Sequence, residues 1–211
     1  AIDKGKQIHN EIASGGFLRN NIMLGTALVD MYAKCGVFAK AAQVLKELPI
    51  QDTISWNALI TGYSQEGEFQ EVLECFQQMQ QDGVSPNEVT FLCVLNACAR
   101  TGNLDEAKMY YESMSTEYGI TPKLEHHACM VVVFGCLGQF DKAMSVIKAM
   151  PSSDDPSLWL ALLNACRKWG NLEVGKLAFD QTIQLDKNLA AAYVLMANMY
   201  AVTGMKKMKN G

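Results

Sequence analysis

The sequence lacks a strong excess of charge of either sign. Its 18 lysine and arginine residues are offset by 22 aspartate and glutamate residues, so the net charge is −4 over 211 residues. This balance excludes broad polybasic adhesion to nucleic acid, and any such binding must come from individually placed residues. Because 49% of the residues are hydrophobic, the chain is too apolar for intrinsic disorder and is expected to fold around a sizeable core.

The seven cysteines include no CxxC pair and are odd in number. Cys93, Cys98 and Cys136 lie inside apolar runs. Neither a disulfide framework nor a zinc site is therefore expected, and the pattern favours a reducing compartment. We predict that most of the cysteines are small core residues.

A signal peptide and a membrane span are also missing from the sequence. The first segment, AIDKGKQIHNEIASGGF, has charges inside its only apolar stretch. The longest uncharged run, 188–205, has nearly transmembrane length but contains Asn188, Asn198, Thr203 and Gly204. We therefore predict no membrane contact.

Short blocks that close on a glycine recur along the chain. Consecutive closing glycines are 31, 35, 36, 32 and 34 residues apart, a period that accommodates one helical hairpin. Apolar residues at helical spacing precede each glycine, which lies where a left-handed cap would end a helix. We predict an all-α, right-handed superhelical solenoid of antiparallel helix-turn-helix repeats. The closing glycines are Gly36, Gly67, Gly102, Gly138, Gly170 and Gly204.

Each hairpin must bury its apolar stripe against its neighbours, because one hairpin alone cannot do so. We predict that Leu28, Tyr32 and Trp56 are buried between hairpins. The segment VVVF at 131–134 has strand propensity, but it is in register with the other helical blocks and is predicted to be helical. A small or short residue follows each of the first five closing glycines by five positions: Ala41, Val72, Ala107, Ala143 and Gly175.

Five segments carry a family resemblance: GKQIHNEIASGGF, ALVDMYAKCGVFAKAAQVLKELP, TISWNALITGYSQEGEFQEVLECFQQMQQDGVSPNEVTF, YGITPKLEHHACM and ALLNACRKWGNLEVGK. They resemble pentatricopeptide repeat (PPR) proteins of the plant mixed-length (PLS) subfamily with a C-terminal E-type extension. Tetratricopeptide repeats share the helical hairpin but lack the WNALI and SPN borders, so they match less well.

The resemblance divides the chain into repeats of different types. The last of them loses the pattern after Gly204, which suggests a fragment of a longer protein. The predicted units are the second half of a long repeat (1–21), a short repeat (22–52), a standard repeat (53–87), a long repeat (88–123), a second short repeat (124–155), an E-type repeat (156–188) and a partial second E-type repeat (189–211).

In this family the fifth and the last residue of a repeat together select one RNA base. Carried onto this chain, Thr26 and Asp52 resemble a pair that prefers guanine. A carboxylate can accept hydrogen bonds from the N1 and N2 donors of guanine. Asn57 and Asn87 resemble a pair that prefers pyrimidines, cytosine more than uracil. The alternative is that Thr26 and Asn57 are helix caps and that Asp52 and Asn87 are ordinary turn residues.

Two further repeats are expected to discriminate poorly, because their fifth residues cannot hydrogen-bond a base edge. The long repeat offers Leu92 with Lys123, and the second short repeat offers Ala128 with Asp154 or Asp155. The resemblance also implies that the second-position residues sandwich bases, although simple helix packing is the alternative. These residues are Met23, Ile54 and Val89.

No catalytic site, metal site or cofactor is predicted. A zinc cytidine deaminase needs both an H-x-E and a P-C-x-x-C motif. His9-Asn10-Glu11 matches the first, but P-C-x-x-C is absent, and we expect this tripeptide to lie on a solvent-exposed helix face. A deaminase would have to come from a missing C-terminal segment or from a separate protein.

The resemblance implies a single-stranded RNA-binding module of an organellar C-to-U RNA editing specificity factor, in the mitochondrion or the chloroplast. Editing-complex proteins are expected to dock on the E-type segment. The alternative is a tetratricopeptide-like, protein-binding scaffold, which the net charge of −4 favours. The predicted docking residues are Trp159, Leu162, Leu163 and Trp169.

Overall fold

A computed structural model describes residues 2–19, 21–150 and 155–209. Throughout these described ranges the regular secondary structure is helical, as the glycine periodicity predicts. The helices are α1 (Ile2–Ser14), α2 (Ile22–Lys34), α3 (Phe38–Glu47), α4 (Thr53–Glu66), α5 (Phe69–Gln81), α6 (Glu88–Thr101), α7 (Leu104–Thr116), α8 (Leu124–Cys136), α9 (Phe140–Lys148), α10 (Pro156–Trp169), α11 (Leu172–Leu185) and α12 (Ala190–Lys209), with a 3₁₀ turn at Phe17–Arg19.

The helices form two compact units, Ala1–Thr101 with Ser113–Thr121, and Gly102–Glu112 with Pro122–Gly211. In the first unit α2 packs on α3 and α4, and α4 packs on α5 and α6. In the second unit α8 packs on α9 and α10, and α10 packs on α11 and α12. Each hairpin thus buries its apolar face against the next hairpin of its unit, which is how helical-repeat solenoids are built. The prediction of an all-α repeat solenoid is confirmed.

A left-handed glycine lies between α2 and α3, α4 and α5, α6 and α7, α8 and α9, and α10 and α11. The φ angles of these glycines lie between 69° and 82°, a conformation in which a side chain is strained. The prediction is wrong at Gly204, because α12 continues through it to Lys209. Gly204 keeps a helical backbone rather than the left-handed one, so the chain does not turn there. The left-handed connecting glycines are Gly36, Gly67, Gly102, Gly138 and Gly170.

The predicted core residues are in place. Leu28, Tyr32 and Trp56 are each no more than 5% exposed. The segment 131–134 lies inside α8, so the helical prediction there is confirmed. The small residues that follow the closing glycines are all buried, namely Ala41, Val72, Ala107, Ala143 and Gly175.

Cysteine burial bears out the core prediction in part. Cys93, Cys98 and Cys166 are buried, whereas Cys35 is exposed. Burial raises the pKa of the Cys75 and Cys166 thiols to about 12, so both remain protonated and unreactive near neutral pH. Among the described residues, no helix combines the length and the apolar character needed to cross a membrane.

Consecutive first helices approach closely where both carry a small residue. Gly62 of α4 faces Ala33 of α2 so tightly that a Cβ on Gly62 would lie 2.6 Å from the Ala33 Cβ. Gly135 of α8 faces Ala165 of α10 in the same way. Both glycines have ordinary helical φ angles, so they are required by this contact rather than by backbone conformation.

We predict that Gly62→Ala lowers the stability of the fold. Overpacking a tight contact typically costs about 1 to 3 kcal/mol, which exceeds the gain of about 1 kcal/mol from the higher helix propensity of alanine. The matched control is Gly204→Ala, because a Cβ there meets no atom within 4 Å. Thermal unfolding should show a lower midpoint for Gly62→Ala and an unchanged or higher midpoint for Gly204→Ala. Equal midpoints would contradict the proposed contact.

His9 corrects the expectation for the His9-Asn10-Glu11 tripeptide. Asn10 and Glu11 are exposed, but His9 is only 6% exposed, and its Nδ1 lies 3.0 Å from the Tyr32 hydroxyl. Burial, followed by the nearby charge of Lys40, lowers the pKa of His9 below its ordinary value of 6.5. His9 is therefore a neutral, buried side chain that packs α1 against α2. The tripeptide is not wholly exposed because one side of α1 lies on α2.

This burial predicts a pH-dependent loss of stability. The unfolded chain takes up a proton on His9 near pH 6.5, whereas the folded chain resists it, so full stability is present above pH 6.5 and falls as the pH drops toward the folded pKa. His9→Gln should reduce this loss. The measurement is the urea midpoint of both proteins at about pH 7.5 and about pH 5.5. An identical pH dependence in the two proteins would show that His9 protonates freely in the fold.

Candidate nucleic-acid interface

A groove of about 610 Å³ runs between α2 and α4 on the first unit, and we call it the α2–α4 groove. The sequence predicted seven RNA-contacting residues, and the groove brings five of them together. Both helices present the second and fifth residues of their predicted repeats to it. The five are Met23, Thr26, Asp52, Ile54 and Asn57.

The second-position side chains are exposed rather than packed between helices. Met23 is 83% exposed, Ile54 is 67% exposed and Val89 is 48% exposed. The helix-packing alternative is therefore wrong for these three residues. Their apolar surfaces are available to contact a flat ligand, as a nucleic-acid base would be.

Asp52 is the N-cap of α4. Its Oδ1 accepts from the Ser55 backbone N–H at 2.8 Å, while the Ser55 Oγ accepts from the Asp52 backbone N–H at 3.0 Å. The helix needs this cap because its first backbone N–H groups have no partner within the helix. The cap commits one carboxylate oxygen of Asp52, and within the described residues Oδ2 has no hydrogen-bond partner.

Asn57 and Asn87 are hydrogen-bonded to each other within the predicted standard repeat (53–87). Asn57 Nδ2 donates to Asn87 Oδ1 at 2.9 Å. Asn87 Oδ1 also accepts from the backbone N–H groups of Val89 at 3.0 Å and Thr90 at 3.2 Å, so it caps the start of α6. The structure thus places the fifth residue and the last residue of the predicted standard repeat side by side.

The alternative assignment as helix caps is wrong for Thr26 and Asn57. Asn21 caps α2, with its Oδ1 accepting from Leu24 N–H at 3.1 Å, and Asp52 caps α4. Thr26 and Asn57 each lie inside a helix and face the α2–α4 groove instead. Asp52 and Asn87 do have structural roles, but as caps rather than as ordinary turn residues.

Sequence reasoning missed an ion pair in the groove. Lys34 Nζ lies 2.7 Å from Asp30 Oδ2, and both residues line the α2–α4 groove. The i,i+4 spacing of the two charges on a helix could have revealed the pair. Because both side chains remain solvent-accessible, the pair contributes little to stability, and Lys34 can exchange Asp30 for another anion.

A model of the PPR repeat family matches residues 51–100, and a model of the PPR repeat matches residues 89–117 and 128–154. Two Arabidopsis thaliana pentatricopeptide repeat-containing proteins align over 97% of the chain: At3g57430, chloroplastic, at 38% identity and At4g19191, mitochondrial, at 37% identity. This chain is a pentatricopeptide repeat protein.

The chain spans 23% of the length of At3g57430 and 31% of the length of At4g19191. It spans less than two-fifths of the length of the curated relatives it matches. Among solved structures it is similar to the maize pentatricopeptide repeat protein PPR10 in complex with an 18-nt psaJ RNA element. The TM-score is 0.76 at 18% identity, with 94% of this chain and 30% of that chain covered. That likeness shows the fold.

The later repeats place apolar side chains at their fifth positions. Leu92 is half-buried in α6, and Ala128 is half-buried in α8. Lys123 immediately precedes α8, and Asp155 caps α10 by accepting from Ser157 N–H at 2.7 Å. Asp154, the other candidate for the last position, lies outside the described residues.

The prediction of a docking surface on the predicted E-type repeat (156–188) is wrong for three of its four residues. Trp159, Leu162 and Leu163 are buried, because their i,i+3,i+4 spacing forms the inward stripe of α10. Trp169 is the exposed member of the set at 50%, and its ring lies over Gly138. Three of the four residues therefore belong to the core and cannot meet a partner.

An apolar groove of about 560 Å³ lies between α10 and α12 on the second unit. The residues that line the groove are Ser157, Leu160, Ala161, Asn164, Ala191, Val194 and Leu195.

Within the described residues, no group of three or more His, Cys, Asp or Glu side chains is arranged to hold a metal ion.

Proposed function

We propose that this chain is a sequence-specific, single-stranded RNA-binding module whose consecutive repeats each contact one base. The observation that carries the proposal is that members of two candidate base-recognition pairs lie beside one groove. Thr26 and Asp52 line the same groove as Asn57, and Asn57 is bonded to Asn87. Similarity to an RNA-bound maize protein with the same fold supports the proposal.

The RNA must be unpaired in this arrangement. A base that enters the α2–α4 groove would insert between the exposed Met23 and Ile54 side chains, and its Watson–Crick edge would face the recognition pair. Sequence-specific RNA recognition commonly targets such unstacked bases, because their edges are free to hydrogen-bond with side chains. A net charge of −4 fits recognition by placed residues rather than by a general attraction for phosphate.

The cap at Asp52 explains why this pair would favour guanine. Because Oδ1 is committed to the Ser55 N–H, the carboxylate offers Oδ2 to a base. Oδ2 is purely an acceptor, and guanine presents two donors, N1–H and N2–H₂, on its Watson–Crick edge. The Thr26 hydroxyl can donate or accept beside it.

The same commitment gives Asn87 the opposite character. Its Oδ1 already accepts from Val89 N–H, Thr90 N–H and Asn57 Nδ2, so Asn87 offers a base its Nδ2 donors. Cytosine presents the adjacent acceptors O2 and N3, whereas guanine would oppose donor with donor. Both residues use Oδ1 to cap a helix, so Asp52 offers a base the acceptor Oδ2 and Asn87 offers it the donor Nδ2.

The wider role we propose is that of an organellar C-to-U RNA editing specificity factor of the PLS subfamily with an E-type extension. Relatives named chloroplastic and mitochondrial support an organellar location. The deaminase would then be supplied by another segment or another protein. Contact with editing partners would use exposed residues of the E-type segment, such as Trp169.

The test is a change of base preference. Asn57→Thr with Asn87→Asp should move preference at the nucleotide bound by this pair from cytosine toward guanine, because the exposed donor Nδ2 becomes the acceptor Oδ2. A hydrogen-bond mismatch of this kind is worth roughly 1 to 3 kcal/mol, so the affinity ratio should change by more than several-fold. Fluorescence anisotropy at fixed salt would compare adenosine-rich RNAs that contain one G-C step or one G-G step.

Asn57→Ala is the matched control, since it should weaken the cytosine preference without creating a guanine preference. The new acid adds negative charge near the RNA and lowers affinity for every sequence, so the ratio between RNAs is the deciding quantity. An unchanged ratio in a folded, RNA-binding variant would contradict base recognition by this pair. Absence of salt-dependent RNA binding by the unmodified chain would favour the protein-binding scaffold instead.

A further inference from the structure

Thr90 is a buried polar residue that contacts both members of the second recognition pair. It is 0% exposed, and its Oγ1 donates to Asn57 Oδ1 at 2.6 Å. The same oxygen accepts from the Asn87 backbone N–H at 3.1 Å. Oγ1 also lies 3.2 Å from Asn87 Oδ1, but a hydroxyl has one proton, and the shorter contact to Asn57 takes it.

Two other repeats place a buried polar residue at the same third position. Ser55 Oγ accepts from the Asp52 backbone N–H at 3.0 Å, and His126 Nδ1 accepts from the Lys123 backbone N–H at 3.0 Å. Ser55 donates its own proton to the Asp52 carbonyl at 2.9 Å, and thus not to a side chain of the recognition pair. All three third-position residues therefore accept a hydrogen bond from the backbone N–H of the last residue of the preceding repeat. Thr90 differs from Ser55 because its hydroxyl also donates to the side chain of a fifth residue, Asn57.

The bond from Thr90 fixes which way the Asn57 amide faces. With Oδ1 held by the Thr90 hydroxyl, Nδ2 points to Asn87 Oδ1 and donates to it. A flipped Asn57 amide would place its oxygen against Asn87 Oδ1, acceptor against acceptor, and would turn Nδ2 toward Thr90. The orientation seen here therefore also keeps Asn87 Oδ1 saturated, which leaves Asn87 with donors alone.

We propose that Thr90 is a positioning residue for base recognition: by orienting the Asn57 amide, its hydroxyl sets the cytosine-over-guanine preference of the Asn57 and Asn87 pair. The inference rests on the proposed function and adds to it a residue that touches no RNA. Without the hydroxyl, the Nδ2 bond to Asn87 alone holds the Asn57 amide. An amide that rotates out of this weaker restraint can offer its oxygen to a base, and guanine donors then become acceptable partners.

Thr90→Val tests the inference, because valine keeps the shape and removes the hydroxyl. The ratio of affinities for cytosine and guanine at the nucleotide bound by Asn57 and Asn87 should fall about threefold to tenfold, the range expected for losing one intramolecular hydrogen bond. Thr90→Ser, which keeps the hydroxyl, should hold the ratio within about twofold of the unmodified chain. Guanine preference at the nucleotide bound by Thr26 and Asp52 should stay unchanged in both variants.

Ser55→Ala is the matched control for a purely structural effect. It removes a buried capping hydroxyl of the same kind without touching Asn57, so it should lower the unfolding midpoint and leave the cytosine preference intact. If Thr90→Val does not fold, Thr90→Cys replaces it, because a thiol is a weak donor of similar size.

Two outcomes would overturn the positioning role. One is an unchanged cytosine-to-guanine ratio in folded Thr90→Val while Asn57→Thr with Asn87→Asp still shifts it. The other is a Thr90→Ser variant that loses the preference, because the hydroxyl would then not be the deciding group. If Asn57→Thr with Asn87→Asp also leaves the ratio unchanged, the proposed function fails and the role of Thr90 fails with it.

Discussion

The first backbone N–H groups of each helix need hydrogen-bond acceptors, and this requirement shapes the repeat borders. Asp52 and Asn87 satisfy it with Oδ1 for α4 and α6. Each of these residues also ends a predicted repeat, and because the cap uses Oδ1, the second polar atom of the side chain is not part of the cap. Under the proposed function, folding and base recognition draw on the same side chain, and the cap determines whether an acceptor or a donor remains.

Much of the fold follows from the sequence because its signals are local. A left-handed glycine and apolar residues at helical spacing act within one hairpin, and they predict where α2 to α11 turn and pack. Gly204 shows the limit of that logic, since the same closing-glycine pattern lies inside α12, where the backbone stays helical. His9 shows another limit, because its burial depends on Tyr32, which lies 23 residues away.

The candidate site was predictable in its residue types but not in its bonding. Thr26 and Asn57 could be placed on one face, but their partners come from other segments of the chain. Thr90 lies only three residues after Asn87 in sequence, yet its bond to Asn57 spans 33 residues and leaves no periodic signal. Trp159 was misplaced because an aromatic residue in an amphipathic helix has the same spacing whether its stripe faces a neighbour or the solvent.

The contact between Gly62 and Ala33 bears on the spacing at which successive nucleotides would be bound. Because two residues with almost no side chain let α2 and α4 approach, the separation of these two helices depends on Gly62 and Ala33 and not on the residues that would touch RNA. A polynucleotide bound along these helices must match the distance between its successive bases to the separation of the helices. Base identity could then be exchanged by substitutions in the groove while the nucleotide spacing stays constant, since the two properties depend on different atoms.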